Sequence, residues 1–79
     1  MNANLLRGKM AEKRMSQSEL AKRIGMSENS LSRKLLGTRD FRLAEIIKII
    51  DELQIQNPGE IFFANLVPKM QRNVDRIHN

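Results

Sequence analysis

Residues 16–37 read SQSELAKRIGMSENSLSRKLLG, and the rest of the chain is organised around them. Leu20, Ala21 and Ile24 recur at helical spacing in the first half, Leu31 and Leu35 in the second. Between the two runs stands Gly25, where a helix must stop, because glycine enters the left-handed backbone region cheaply. Ser16 with Glu19 three residues on has the form of a capping box: the hydroxyl takes the amide of residue 19, and the carboxylate reaches back. Ser27 offers a second N-cap. The stretch therefore predicts two short helices, about 17–24 and 28–36, joined by a tight turn. That arrangement is a helix-turn-helix. Ala21 is small enough to let the two helices approach closely.

The chain has 79 residues, no cysteine and a net charge of +5. A single small domain is expected, held by helix packing without disulfides or a cysteine-based zinc site. No apolar run suits a signal peptide or a membrane span, so a cytoplasmic protein with no membrane partner is expected. The charge is unevenly spread. Residues 1–42 carry ten Lys/Arg against four Asp/Glu, whereas residues 43–68 carry Lys48 against Glu45, Asp51, Glu52 and Glu60. Basic surface attracts polyanions, and here it coincides with the helix-turn-helix. Catalysis is not expected: the one histidine is His78, and the carboxylates are scattered singly. No spacing suggests a metal site, an acid–base pair, a cofactor or a small-molecule ligand.

A first helix is expected over 3–14, capped by Asn2 or Asn4, with Leu6 and Met10 inward and Leu5 widening the stripe. Gly8 either marks a close helix contact or has no role. Met15 precedes the Ser16 cap as a hydrophobic staple. Residues 37–40 read as a loop, with Phe41 re-entering the core. A fourth helix is expected over 43–53. Leu43, Ile46, Ile47, Ile50 and Leu53 form its apolar stripe and the centre of the core, and Ile49 falls off that stripe. Asn57-Pro58-Gly59-Glu60 is a helix start, with a cap, proline at the first position and an acid at the third. The fifth helix is expected over 58–66, burying Ile61, Phe62 and Leu66. After Pro68, Met70, Val74 and Ile77 are spaced for a short amphipathic helix within residues 68–79, which either frays, packs back on the core or contacts a second copy.

Gln17-x-Glu19-Leu20-Ala21, Ile24-Gly25-Met26-Ser27, Leu31-Ser32-Arg33 and Gly37 resemble the phage Cro/repressor family of helix-turn-helix regulators, the xenobiotic-response-element type. The likeness covers roughly residues 5–66. It is nearest to small phage-encoded regulators of Gram-positive bacteria, through Leu31-Ser32-Arg33-Lys34-Leu35 and Glu60-Ile61-Phe62-Phe63. Such proteins usually carry Thr or Ser where Arg42 stands, which leaves Asp40 as a candidate cap for the fourth helix. The resemblance implies an all-α, five-helix lambda-repressor-like domain over residues 1–67, a partner in double-stranded DNA, and a transcription-regulating role. Homodimers would bind a pseudo-palindromic operator, with half-sites about one helical turn apart. With no segment after residue 79 to form a second domain, the short Cro-like type is expected. A different class of function would be a helical protein-interaction module or an antitoxin-like partner.

In such folds the second helix of the motif enters the major groove. With Leu31 and Leu35 inward, Asn29 and Arg33 point away from the core at about 100° per residue. Arg33 is suited to guanine O6 and N7, Asn29 to adenine N6 and N7, and Glu28 to cytosine N4. Ser32 flanks them, facing a phosphate or a thymine methyl. Phosphate contacts are expected from Ser27, Lys34, Thr38 and Arg39, and the resemblance assigns one to Gln17 at the start of the second helix. Leu36, apolar yet outward, is given no role.

Overall fold

The computed structural model describes residues 1–63 and is helical wherever those residues are regular. Its elements are α1 (Ala3–Glu12), α2 (Gln17–Ile24), α3 (Glu28–Leu36), α4 (Leu43–Leu53) and α5 (Pro58–Phe62). α2 packs on both α3 and α4, and α1 packs on α5. The Asn2 amide donates to the Ile61 carbonyl at 2.6 Å, which ties the two ends of the described chain together.

Local chemistry sets the helix starts. Asn2 Oδ1 accepts from the Leu5 amide, Ser16 Oγ from Glu19 and Ser27 Oγ from Ser30, each at 3.1 Å. Each bond satisfies one of the amides that a helix leaves unpaired in its first turn, and such a cap contributes about 1 kcal/mol. The second half of the expected Ser16–Glu19 box does not form. The Glu19 carboxylate turns instead to Arg23 Nε at 2.8 Å, one helical turn on. Arg42 opens α4 without a side-chain cap, since a guanidinium has no acceptor. Asp40 does not take that role: the Glu45 carboxylate accepts from the Arg42 amide at 2.9 Å. Asn57 stands before α5 with no side-chain cap bond, and Pro58 fills the first position as expected.

One geometry ends four helices. A residue in the left-handed region follows α1, α2, α3 and α4: Arg14 (φ 53°), Gly25 (φ 80°), Gly37 (φ 89°) and Gln54 (φ 52°). The next residue then donates back five positions, Met15 to Met10, Met26 to Ala21, Thr38 to Arg33 and Ile55 to Ile50, at 2.9–3.0 Å. These are Schellman motifs, whose last residue commonly makes an apolar contact with the helix it closes. Met15 and Met26 are packed against the core and Ile55 lies within it. Thr38 is the polar exception.

Leu6, Leu20, Leu31, Ile49, Leu53 and Ile61 are the largest fully buried side chains, joined in one cluster by Met10, Ala21, Ile24, Leu35, Ile55 and Phe62. Phe41 packs on this cluster and meets Phe62 edge-on, with ring centroids 6.3 Å apart. Leu5, expected to widen the inward stripe of α1, is 38 % exposed. A Cβ built on Gly8 would meet nothing within 4 Å, so that glycine marks no close contact.

α4 is seated on a different face from the one its strongest stripe suggests. Ile49 is wholly buried, with Leu53 below it and Ile46 and Ile50 packed alongside, whereas Leu43 and Ile47 are 67 % and 58 % exposed. Both faces satisfy helical spacing. The residues at 46, 49, 50 and 53 make as good a stripe as those at 43, 46, 47 and 50, so only the partner helices decide. Leu66, the expected reach of the fifth helix beyond Phe62, the boundary at 67/68 and the Met70-Val74-Ile77 stripe lie outside the described residues.

Candidate nucleic-acid interface

The outward face of α3 follows from how the helix is seated. Gly25 and Met26 leave two residues of turn between α2 and the Ser27 cap, so the direction of α3 is fixed by main chain at both ends of the turn. Leu31 and Leu35 are buried against the cluster. Glu28, Asn29 and Arg33 are exposed, and Ser32 is half-buried on the flank. Neither Asn29, Arg33 nor Glu28 has a side-chain hydrogen bond or ion pair among the described residues. An amide, a guanidinium and a carboxylate thus stand together with their hydrogen-bonding capacity uncommitted. Leu36 is 69 % exposed at the end of the same helix.

The residues expected to hold phosphate separate into two groups. Gln17 is half-buried at the start of α2, where its amide and that of Ser18 find no acceptor among the described residues. Ser27 is exposed, and its oxygen takes the Ser30 amide as an acceptor, so its O–H proton stays free to donate. Ser16, read from the sequence as a cap alone, has the same free proton beside Gln17. Arg39 is exposed without a carboxylate partner among the described residues.

Lys34 and Thr38 are already engaged within the fold. Lys34 lies on the inward flank of α3, 8 % exposed, with Nζ at 2.7 and 2.9 Å from the two Glu45 carboxylate oxygens. Its ammonium sits 6.0 Å from the centre of the Phe41 ring. A charge held this way is already paired and nearly covered. The Thr38 hydroxyl donates to the Arg33 carbonyl at 2.9 Å, and its amide donates to the same oxygen at 3.0 Å. Both donors of Thr38 therefore close α3 in the free chain. The sequence carried a signal for Lys34: it stands three residues after Leu31, on the buried side. What it lacked was the position of Glu45.

Burial acts to push the Glu45 carboxyl up, but the Lys34 hydrogen bonds, the Arg42 amide and the nearby positive charge together hold it below the usual carboxylate range. Elsewhere the basic residues are partly spent on the fold. Arg23 bridges Glu19 and Glu52 at 2.8 and 3.2 Å, joining α2 to α4, and Lys13 donates to Gln54 at 3.0 Å. Arg33, Arg39 and the exposed Lys22 keep their charge facing solvent. Among the described residues no group of three or more His, Cys, Asp or Glu could hold a metal ion, and no helix is long and apolar enough to cross a membrane.

No curated protein and no solved structure matches the chain. A family model does, the Cro/C1-type HTH DNA-binding domain, over residues 5–65. That span runs from the third residue of α1 past the end of α5, including the turn and the exposed face of α3. With its helix-turn-helix geometry and the greater part of its length accounted for, the chain belongs to the Cro/C1-type HTH DNA-binding domain family.

Proposed function

We propose that this DNA-binding domain is a sequence-specific regulator of transcription of the phage or prophage Cro-like repressor type, acting as a homodimer on a pseudo-palindromic operator. α3 lies in the major groove. Arg33 donates a bidentate pair to guanine, Asn29 pairs with adenine, Glu28 accepts from cytosine N4, and Ser32 lies against a thymine methyl or a phosphate. Gln17, Ser27 and Arg39 hold the flanking backbone, and Ser16 joins them through its free proton. The observation that carries the reading is the exposed face of α3, where Asn29 and Arg33 have no partner of their own among the described residues. One such helix reads few base pairs, so useful affinity calls for two copies on half-sites about 34–36 Å apart.

Selection of bound duplexes from a random pool, at a stated salt concentration, tests this. The expected product is a symmetric site with half-sites about 10 base pairs apart. An unenriched pool would refute sequence-specific binding, and a single asymmetric half-site would refute the dimer. A second reading, a helical module that docks another protein, draws support from the exposed Leu43 and Ile47 on α4. If Leu43→Ser with Ile47→Ser leaves both the affinity and the symmetry of the selected site unchanged, that face has no part in DNA binding.

A further inference from the structure

Leu31 and Leu35 seat α3, but apolar burial has little directional preference and does not by itself fix how far the helix is rolled about its axis. Roll matters at the groove. A rotation of about 10° moves an atom about 6 Å from the helix axis by about 1 Å. Hydrogen bonds to base edges tolerate about half an ångström. Something directional must therefore hold α3, and the contact that does so lies on its inward flank. Lys34 Nζ reaches both oxygens of Glu45 on α4, at 2.7 and 2.9 Å, with side-chain exposures of 9 % and 19 %. Glu45 is itself fixed, because it accepts from the Arg42 amide at 2.9 Å. The Lys34 ammonium also faces Phe41, which meets Phe62 of α5 edge-on. Oriented contacts thus run from α3 to Glu45 of α4 and, by way of Phe41 in the loop before α4, to Phe62 of α5, and their attachment point on α3 is the residue next to Arg33.

We propose that Lys34 and Glu45 form a strut that sets the roll of α3, so that Lys34 serves DNA recognition as a positioning residue for Arg33 and Asn29 and not by touching the DNA backbone. This rests on the DNA-binding reading above. It also accounts for a lysine at a position where a leucine or methionine would bury as well. A buried ion pair adds little net stability over an apolar replacement, and its better-attested use is to specify one arrangement among several.

The two roles for Lys34 differ in what they do to salt dependence. A phosphate contact contributes to every duplex, and its loss flattens the salt slope by about one charge. A strut leaves the slope alone and alters the preference. Lys34→Met and Lys34→Arg, with Glu45→Gln as a second route to the same contact, should be titrated against the selected duplex and a scrambled one between about 50 and 200 mM salt. Lys34→Met is expected to lower the ratio of specific to non-specific affinity about tenfold, the range for one misplaced bidentate pair, with non-specific affinity and slope unchanged. Glu45→Gln should shift the ratio in the same direction by less, and Lys34→Arg should retain most of it. Equal losses on both duplexes with a shallower slope would overturn the proposal, as would an unchanged ratio. Amide hydrogen exchange on the free proteins is the companion readout: protection should fall in α3 and hold in α1 for Lys34→Met. If Lys34→Met does not fold, Glu45→Gln carries the test. Should the wild-type chain prefer no duplex, the DNA reading falls, while exchange in α3 still decides the strut.

Discussion

The seating of α4 yields a sharp stability test, because two isoleucines two positions apart should respond in opposite measure. Ile49 is 0 % exposed and Ile47 is 58 % exposed. Ile49→Ala removes a fully enclosed side chain and leaves a cavity, a change that costs about 3 kcal/mol in tightly packed cores. For Ile47→Ala only about two-fifths of the side chain leaves a buried setting. Against about 1.5–3 kcal/mol for complete burial, that is about 1 kcal/mol, and no closed cavity forms. Alanine's better helix propensity returns about 0.4 kcal/mol at both positions. The expected net costs are thus about 2.5 kcal/mol at Ile49 and about 0.5 kcal/mol at Ile47. In a domain of this size, 1 kcal/mol corresponds to about 4–8 °C in Tm. Ile49→Ala should therefore lower the melting midpoint by about 10–20 °C and Ile47→Ala by about 2–4 °C, followed by circular dichroism at 222 nm (~222 nm marks helix). A urea series should show the midpoints moving with an unchanged slope. Equal losses, or a larger loss at Ile47, would mean that α4 sits on its Leu43-Ile47 face and that the packing described for it is wrong.

Other expected outcomes concern the interface and its supports. Arg33→Ala should relax preference at one base position by about 1–3 kcal/mol, whereas Arg39→Ala should weaken binding to every sequence and flatten the salt dependence by about one charge; competition titrations with single-base variants separate the two. Gly25→Ala should destabilise by about 1–2 kcal/mol in a thermal melt through backbone strain alone, since its φ is +80° and a Cβ there meets nothing within 4 Å. Glu45 has its carboxyl held below the usual range, so the unfolded chain takes up its proton first as pH falls. Its contribution to stability should be complete above the unfolded value of about 4.3 and be lost as pH falls through the lower folded value, so the stability gap between wild type and Glu45→Gln should close in acid urea melts. Ser27→Ala should cost about 1 kcal/mol of stability through the lost cap, and its loss of DNA affinity should be uniform across sequences in the same titrations.

The sequence is most legible where the signal is local. Ser16, Gly25, Ser27 and Gly37 mark the ends of α2 and α3 because each acts on backbone groups within five residues, and both helices fall where those residues put them. α4 shows the other case. Its bounds agree with the expected 43–53, but its buried face does not, since two overlapping stripes share Ile46 and Ile50 and the choice depends on the partners packed against it, α2 among them. The same applies to the site. The exposure of Asn29 and Arg33 follows from the two buried leucines opposite them. The fates of Lys34 and Thr38 depend on Glu45 eleven residues away and on a carbonyl at the end of a left-handed turn. Arg14 and Gln54 were not readable as left-handed residues, because neither is a glycine and the geometry is imposed by Met15 and Ile55 entering the core.

The three-residue link between α2 and α3 closes with main-chain bonds and the Ser27 cap, and the side chains of Glu28, Asn29 and Arg33 take no part in it. If α3 reads DNA as proposed, what it reads is written in side chains that the fold does not consult. Exchanging those three should re-address the domain to a new operator while leaving its melting temperature nearly where it was, so a family of regulators with differing targets could be drawn from this one scaffold.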